Sequence, residues 1–239
     1  MARSLTMLAL LALVAFFFAG CAAHQPDAAF TPYDFGPAVK EGKVDKKVDN
    51  FLILIDSTQS MAQRDVFRGQ IRFQRAWDTV MNLGRTVPDL GYVGMVRVVG
   101  ATPCLFAQKT ALEYGPRIYT QETFKIALEE INYAQGRTPL GDGLAATVED
   151  LSYSKGPIAL VVVSDGINNH GDPLAAAELL KKTYGERICI YTVQIGDDKN
   201  GGALLKQMAQ KGGCGFSTTE EELSTPVGMA RFVEQVFLK

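Results

Sequence analysis

Phe51-Leu52-Ile53-Leu54-Ile55-Asp56-Ser57-Thr58-Gln59-Ser60 decides how this chain is read. Five apolar residues in an unbroken run have the pattern of a strand covered on both faces. Within one residue the run gives way to a carboxylate and hydroxyls, with Asp56, Thr58 and Ser60 at alternate positions. In a loop leaving a strand end, that spacing turns several oxygens toward one point, and an oxygen-only set suits a hard cation. The same residues also fit a Ser/Thr-rich turn whose Asp caps the next helix, so a second site element is needed to separate the two readings.

Working outward, a second apolar run, Ile158 to Val163, ends in Ser164-Asp165-Gly166, and Arg187 to Ile195 forms a third. Helical periodicity lies between the runs. Phe73, Trp77, Val80, Met81 and Gly84 share one face, and Phe124, Ala127, Leu128 and Ile131 mark a second helix. Further helices are expected near 144–151, 174–184 and 203–210, and in the last segment, where Met229, Val233, Val236 and Phe237 recur. Tyr92 to Val99 reads as a strand, Leu105 to Tyr114 as its hairpin partner at a sheet edge, and Phe216–Thr218 as a short strand. Buried strands alternating with helices predict an α/β fold: a doubly wound, mainly parallel sheet with one antiparallel edge strand. In such sheets ligands bind beyond the carboxyl ends of the strands, where strand order reverses. Asp56 and Asp165 would meet there if their strands are neighbours, and a divalent cation would relieve their repulsion.

The ends of the chain carry different information. Arg3 precedes an apolar run from Leu5 to Phe18, followed by Ala19-Gly20-Cys21, which reads as a secretory signal over residues 1–20. The run is short for a membrane span. The cysteine at the cut resembles the lipobox of bacterial lipoproteins, in which that residue is acylated; Phe18 departs from the usual Leu. Cys21 is therefore the expected lipid anchor. Ala22 rather than Asp after it leans toward the outer membrane, with the chain facing the periplasm. Residues 21–47, with Pro26, Pro32 and Pro37, are expected to be a tether, and 48–239 the folded domain. The net charge of −2, without a basic cluster, argues against a nucleic-acid partner.

Cys104, Cys189 and Cys214 remain, without C-x-x-C spacing, so a zinc site is not expected. Cys189 lies early in one buried strand and Cys214 just before the next, which makes them the expected pair if a disulfide forms, with Cys104 the odd thiol; three reduced cysteines are the alternative. Gly141-Asp142-Gly143-Leu144-Ala145-Ala146 matches a dinucleotide fingerprint in letters only, because no strand precedes it. Trp77 is assigned to the core, and Asp197 and Asp198 to a solvated turn.

Asp56, Thr58 and Ser60, then Thr138 in Gly136-Arg137-Thr138-Pro139, then Asp165 after an apolar strand, resemble the von Willebrand factor A domain and its metal ion-dependent adhesion site. The resemblance spans roughly residues 48–239. It implies that the hydroxyls of Thr58, Ser60 and Thr138 contact Mg²⁺ directly, with Mn²⁺ or Ca²⁺ as alternatives. Asp56 and Asp165 then act partly through water, and one position stays open for the Asp or Glu of a protein partner. Gln59, Asn168 and His170 would rim the site, beside Asn169. The expected function is an envelope-tethered, metal-dependent protein-binding module with no catalytic residues. A metal-dependent hydrolase or phosphotransferase using Asp56, and a metal-independent assembly scaffold, are the alternatives. Against an enzyme, His170 is the only plausible acid–base group near the loops.

Overall fold

In the computed structural model, residues 30–64, 69–100, 110–131, 139–168 and 170–239 are described. Six strands form a single sheet: β1 (Asn50–Asp56), β2 (Val93–Val99), β3 (Thr110–Ile118), β4 (Ile158–Ser164), β5 (Ile188–Gln194) and β6 (Ser217–Thr219). Their order is β3-β2-β1-β4-β5-β6. All neighbours are parallel except β2 and β3, which are antiparallel.

Every residue of β1 and of β4 is buried, as their continuous apolar runs require. Alternate residues of β1 feed two separate cores. Phe51, Ile53 and Ile55 face one side, covered by α2 (Arg72–Thr86), α3 (Gln121–Glu130) and α8 (Pro226–Phe237). Leu52 and Leu54 face the other, under α4 (Leu140–Asp150), α5 (Pro173–Tyr184) and α6 (Lys199–Lys211). The first core is aromatic: the Phe51 ring meets Tyr92, Tyr119, Phe124 and Phe237 edge-on, with centroids 5.2–6.2 Å apart. Gly84 is needed on α2 because a Cβ there would lie 2.5 Å from the Phe124 ring. Trp77 is buried, and its indole N–H donates to the Leu128 carbonyl at 2.8 Å.

Three elements differ from expectation. β3 runs to Ile118, past its expected end at Tyr114; its pairing with β2 shifts register between Tyr114 and Arg117, where Gly115-Pro116 lie, and an edge strand tolerates proline at such an irregularity. Its expected start at 105–109 lies outside the described residues, as do the signal segment, Cys21 and Cys104. Part of the expected tether is packed onto the domain from residue 30 onward: Phe30 and Phe35 belong to the aromatic core, and α1 (Gly36–Lys40) follows them. Residues 45–47 then clasp the chain end, with Asp45 N–H donating to Lys239 O (3.0 Å) and Lys47 N–H to Phe237 O (2.7 Å). These bonds are backbone-to-backbone, so composition carries no sign of them. Finally, α7 (Glu220–Leu223) is a single turn closed by a Thr219–Glu222 capping box.

Cys189 and Cys214 form a disulfide. β5 and β6 pair Thr192 with Ser217, and running that register back three residues sets Cys189 opposite Cys214. Among the described residues no helix is long and apolar enough to cross a membrane.

Candidate metal centre

The chain leaves β1 toward β2 on one side and returns to β4 on the other, so strand order reverses between β1 and β4. The crevice beyond their carboxyl ends holds Asp56 and Asp165, each with no exposed surface. After Asp56 the chain bends at Thr58 into a 3₁₀ turn, Gln59–Ala62, pinned by fully buried Met61. Ser57 N–H donates to Val99 O (2.7 Å), tying this loop to the end of β2.

The turn gathers oxygens. Thr58 Oγ1 and Ser60 Oγ lie 3.2 Å apart, and Ser60 Oγ donates to Asp165 Oδ1 at 3.3 Å. Thr58 N–H donates to Asp56 Oδ1 (3.0 Å), and Ser164 Oγ donates to Asp56 Oδ2 (2.5 Å). Asp165 Oδ1 also accepts from Ile167 N–H (3.0 Å). Burial raises the Asp56 carboxyl to about 7; the Ser164 hydrogen bond opposes that shift, and the charge of Asp165 adds to it. Two buried carboxylates with converging hydroxyls make a hard-oxygen donor set that fits Mg²⁺ or Mn²⁺. Among the described residues no three His, Cys, Asp or Glu side chains converge, so hydroxyls would have to complete any shell.

Two residues of this cluster lie outside the expected site set. Ser164 closes an apolar strand and reads as its polar end. Arg72, the first residue of α2, reaches across 93 positions so that Nη1 donates to Asp165 Oδ2 at 2.9 Å. A polar side chain directly before Asp165 was the only available hint for Ser164; for Arg72 there was none.

The support is built from close backbone contacts. Gly166 has φ +73°, and a Cβ on Gly201 would fall 2.0 Å from the Asp165 carbonyl oxygen. Asp198, expected in a solvated turn, caps α6 by accepting from Gly201 N–H (2.7 Å), which fixes that glycine against the site strand. Gly141 and Gly143, the false fingerprint, serve packing. Their Cβ positions would meet the Asp172 backbone at 2.5 Å and Val99 at 2.3 Å.

The expected rim is present in part. Gln59 is exposed beside Ser60. Asn168 donates to Gly171 O (3.2 Å), and its Oδ1 is buried without a hydrogen-bond partner among the described residues. His170 Nδ1, exposed to solvent, lies 3.5 Å from Oδ2 of half-buried Asp142 at the start of α4. Thr138 and Asn169 lie outside the described residues; the chain resumes at Pro139, where α4 starts. A cavity of about 670 Å³ opens beside the cluster, lined in part by Gly166, Asn168, Asp172, Asp198, Gly201 and Leu204.

Solved structures share this fold. An aerotolerance-related membrane protein from Bacteroides fragilis aligns with TM-score 0.56 at 18% identity, covering 78% of this chain and 99% of its own. Proximal thread matrix protein 1 from the mussel byssus, described with a zinc-occupied MIDAS motif, aligns with TM-score 0.56 at 20% identity, covering 85% of this chain and 52% of its own. The manganese-loaded Plasmodium vivax TRAP protein aligns with TM-score 0.54 at 13% identity, covering 81% and 77%. No curated protein matches the chain. Residues 50–228 match the von Willebrand factor type A domain, most of the length and both halves of the cluster included, and the chain belongs to that family.

Proposed function

We propose that this domain is a divalent-cation-dependent protein-binding module of the bacterial envelope, anchored through Cys21, that captures an acidic side chain of a partner. The observation that carries the reading is the pair Asp56 and Asp165, fully buried at adjacent strand ends, with Ser60 Oγ on Asp165 and Thr58 Oγ1 beside it. Arg72 already meets Asp165, whereas burial pushes the Asp56 carboxyl up to about 7, a cost that a cation held in the crevice would offset. Asp56, Thr58, Ser60, Thr138 and Asp165 would hold a Mg²⁺ or Mn²⁺ ion, which supplies an electrophilic point for an incoming carboxylate. The chain's own part is to orient these oxygens and keep water out, through Ser164, Gly166 and Gly201. Gln59, Asn168 and His170 stand where a partner would approach and set which acidic residue fits.

Family members whose structures are described with zinc in a MIDAS motif, or loaded with manganese, support a cation in this position. The neighbour described as a membrane protein agrees with work at an envelope. The reading is non-enzymatic: the groups close to the cluster are carboxylates, hydroxyls and a guanidinium, a set suited to gripping charge.

The test is crosslinking capture from envelope extract by wild type, by wild type in EDTA, and by Asp165→Ala. Partners held by wild type alone support the reading. Equal capture by all three removes it and leaves a metal-independent scaffold. Mass spectrometry of the mature amino terminus reports the anchor, with an acylated Cys21 as the expected result.

A further inference from the structure

We infer that Arg72 is a built-in cation that competes with the divalent ion for Asp165, so that filling of the site follows the ambient divalent concentration. The inference rests on the metal-dependent reading above and adds a regulating residue to it.

Arg72 Nη1 donates to Asp165 Oδ2 at 2.9 Å, with the arginine side chain 16% exposed and the carboxylate fully buried. The other oxygen, Oδ1, is taken by Ser60 Oγ and Ile167 N–H. Both oxygens of the carboxylate are therefore engaged, one of them by a full positive charge in a charge-assisted contact. The arginine is held there from behind: a Cβ on Gly196, in the loop after β5, would come within 3.1 Å of Arg72 Nε. Helix stability does not explain its position. Arg72 opens α2, whose first turn has no acidic residue, and a cation at a helix N-terminus is unfavourable. What offsets that cost is Asp165, in the same way that Arg75, one turn on, is paired with Glu220.

Two consequences follow from charge. A divalent ion entering the crevice meets a fixed like charge at close range, which lowers its affinity. Once it is bound, with both carboxylates ionised, the cluster carries net positive charge rather than none, which favours an incoming carboxylate from a partner. Arg72 thus weakens metal loading and sharpens selection for acid in the loaded state.

The test is Mn²⁺ titration of the full chain by calorimetry, comparing wild type, Arg72→Gln and Arg72→Lys, with thermal unfolding in EDTA and in saturating Mn²⁺. Arg72→Gln is expected to bind Mn²⁺ about tenfold tighter, about 1.4 kcal/mol. Arg72→Lys, which keeps the charge, stays near wild type. Arg72→Gln should also melt below wild type in EDTA and recover in Mn²⁺, a rescue that a purely structural arginine would not show. Equal affinities across the three proteins overturn the competition and leave the metal site standing. Arg72→Gln that stays unfolded in saturating Mn²⁺ makes the residue a strut and overturns it as well. No Mn²⁺ binding by any of them removes both this inference and the reading beneath it.

Discussion

Ser164 Oγ donates to Asp56 Oδ2 across the seam between β4 and β1, at 2.5 Å, while accepting from Gly166 N–H at 2.9 Å. One hydroxyl thus orients the carboxylate of one strand and the glycine turn that follows the other. Its bond to the charged form works against the burial that raises Asp56 to about 7.

A pH dependence follows. In the unfolded chain Asp56 titrates near 3.8, and in the folded domain near 7. Between those values the folded state holds a proton that the unfolded state has lost, so stability in EDTA falls as pH rises from about 4 to about 7 and then levels off. Urea unfolding of wild type against Asp56→Asn isolates this contribution, because the other titrating groups cancel in the difference. Ser164→Ala should extend the fall to higher pH, since it removes a bond to the carboxylate. A wild-type minus Asp56→Asn difference that does not change between pH 5 and pH 8 would falsify the assignment.

Gly201→Ala should loosen the site from behind. Its Cβ would fall 2.0 Å from Asp165 O, a backbone atom that cannot swing aside. Forcing α6 away should cost roughly 1–3 kcal/mol and weaken metal binding along with it. Asn200→Ala, an exposed neighbour on the same helix, is the control and should melt like wild type. Equal melting temperatures for the two variants would contradict the close approach.

Losing the Cys189–Cys214 disulfide should destabilise the sheet edge, since β6 is only three residues long and the bond closes a loop of 25 residues. Loop entropy puts the loss at about 3 kcal/mol, or roughly 10 °C in melting temperature for a domain of this size. Cys189→Ser/Cys214→Ser, unfolded by heat beside wild type, measures it. Metal affinity should change little, because the bond lies at the start of β5 and the cluster beyond the ends of the strands. A double variant that melts with wild type would show that packing of β6 alone holds the edge.

Some of this was legible in the residues and some was not. Ile53 and Val161 sit in runs with no polar break, and such runs have few ways to fold except as strands covered on both faces. That made the parallel sheet readable and put Asp56 and Asp165 at strand ends; their meeting depended on β1 and β4 being neighbours across the reversal, which the strand order supplies. Arg72 was not readable, because an ion pair across 93 residues leaves no periodic trace and an arginine opening an amphipathic helix looks like its solvent face. Phe30 and Phe35 were hidden by the prolines around them: composition reported a linker, whereas two buried rings and the clasp at residues 45–47 decided otherwise. The expected end of β3 at Tyr114 also fell short, since a proline that would end a central strand is tolerated where the edge strand shifts register against β2.

The central claim is that Asp56, Thr58, Ser60, Thr138 and Asp165 hold a divalent cation, and calorimetric titration of the full chain with Mn²⁺ meets it most directly. Wild type should take up a single ion in a saturable step that EDTA reverses. Asp165→Ala should show no binding heat, and Thr138→Ala a weaker isotherm, both with folded circular dichroism spectra. No binding by wild type, or an isotherm that Asp165→Ala leaves unchanged, would contradict it.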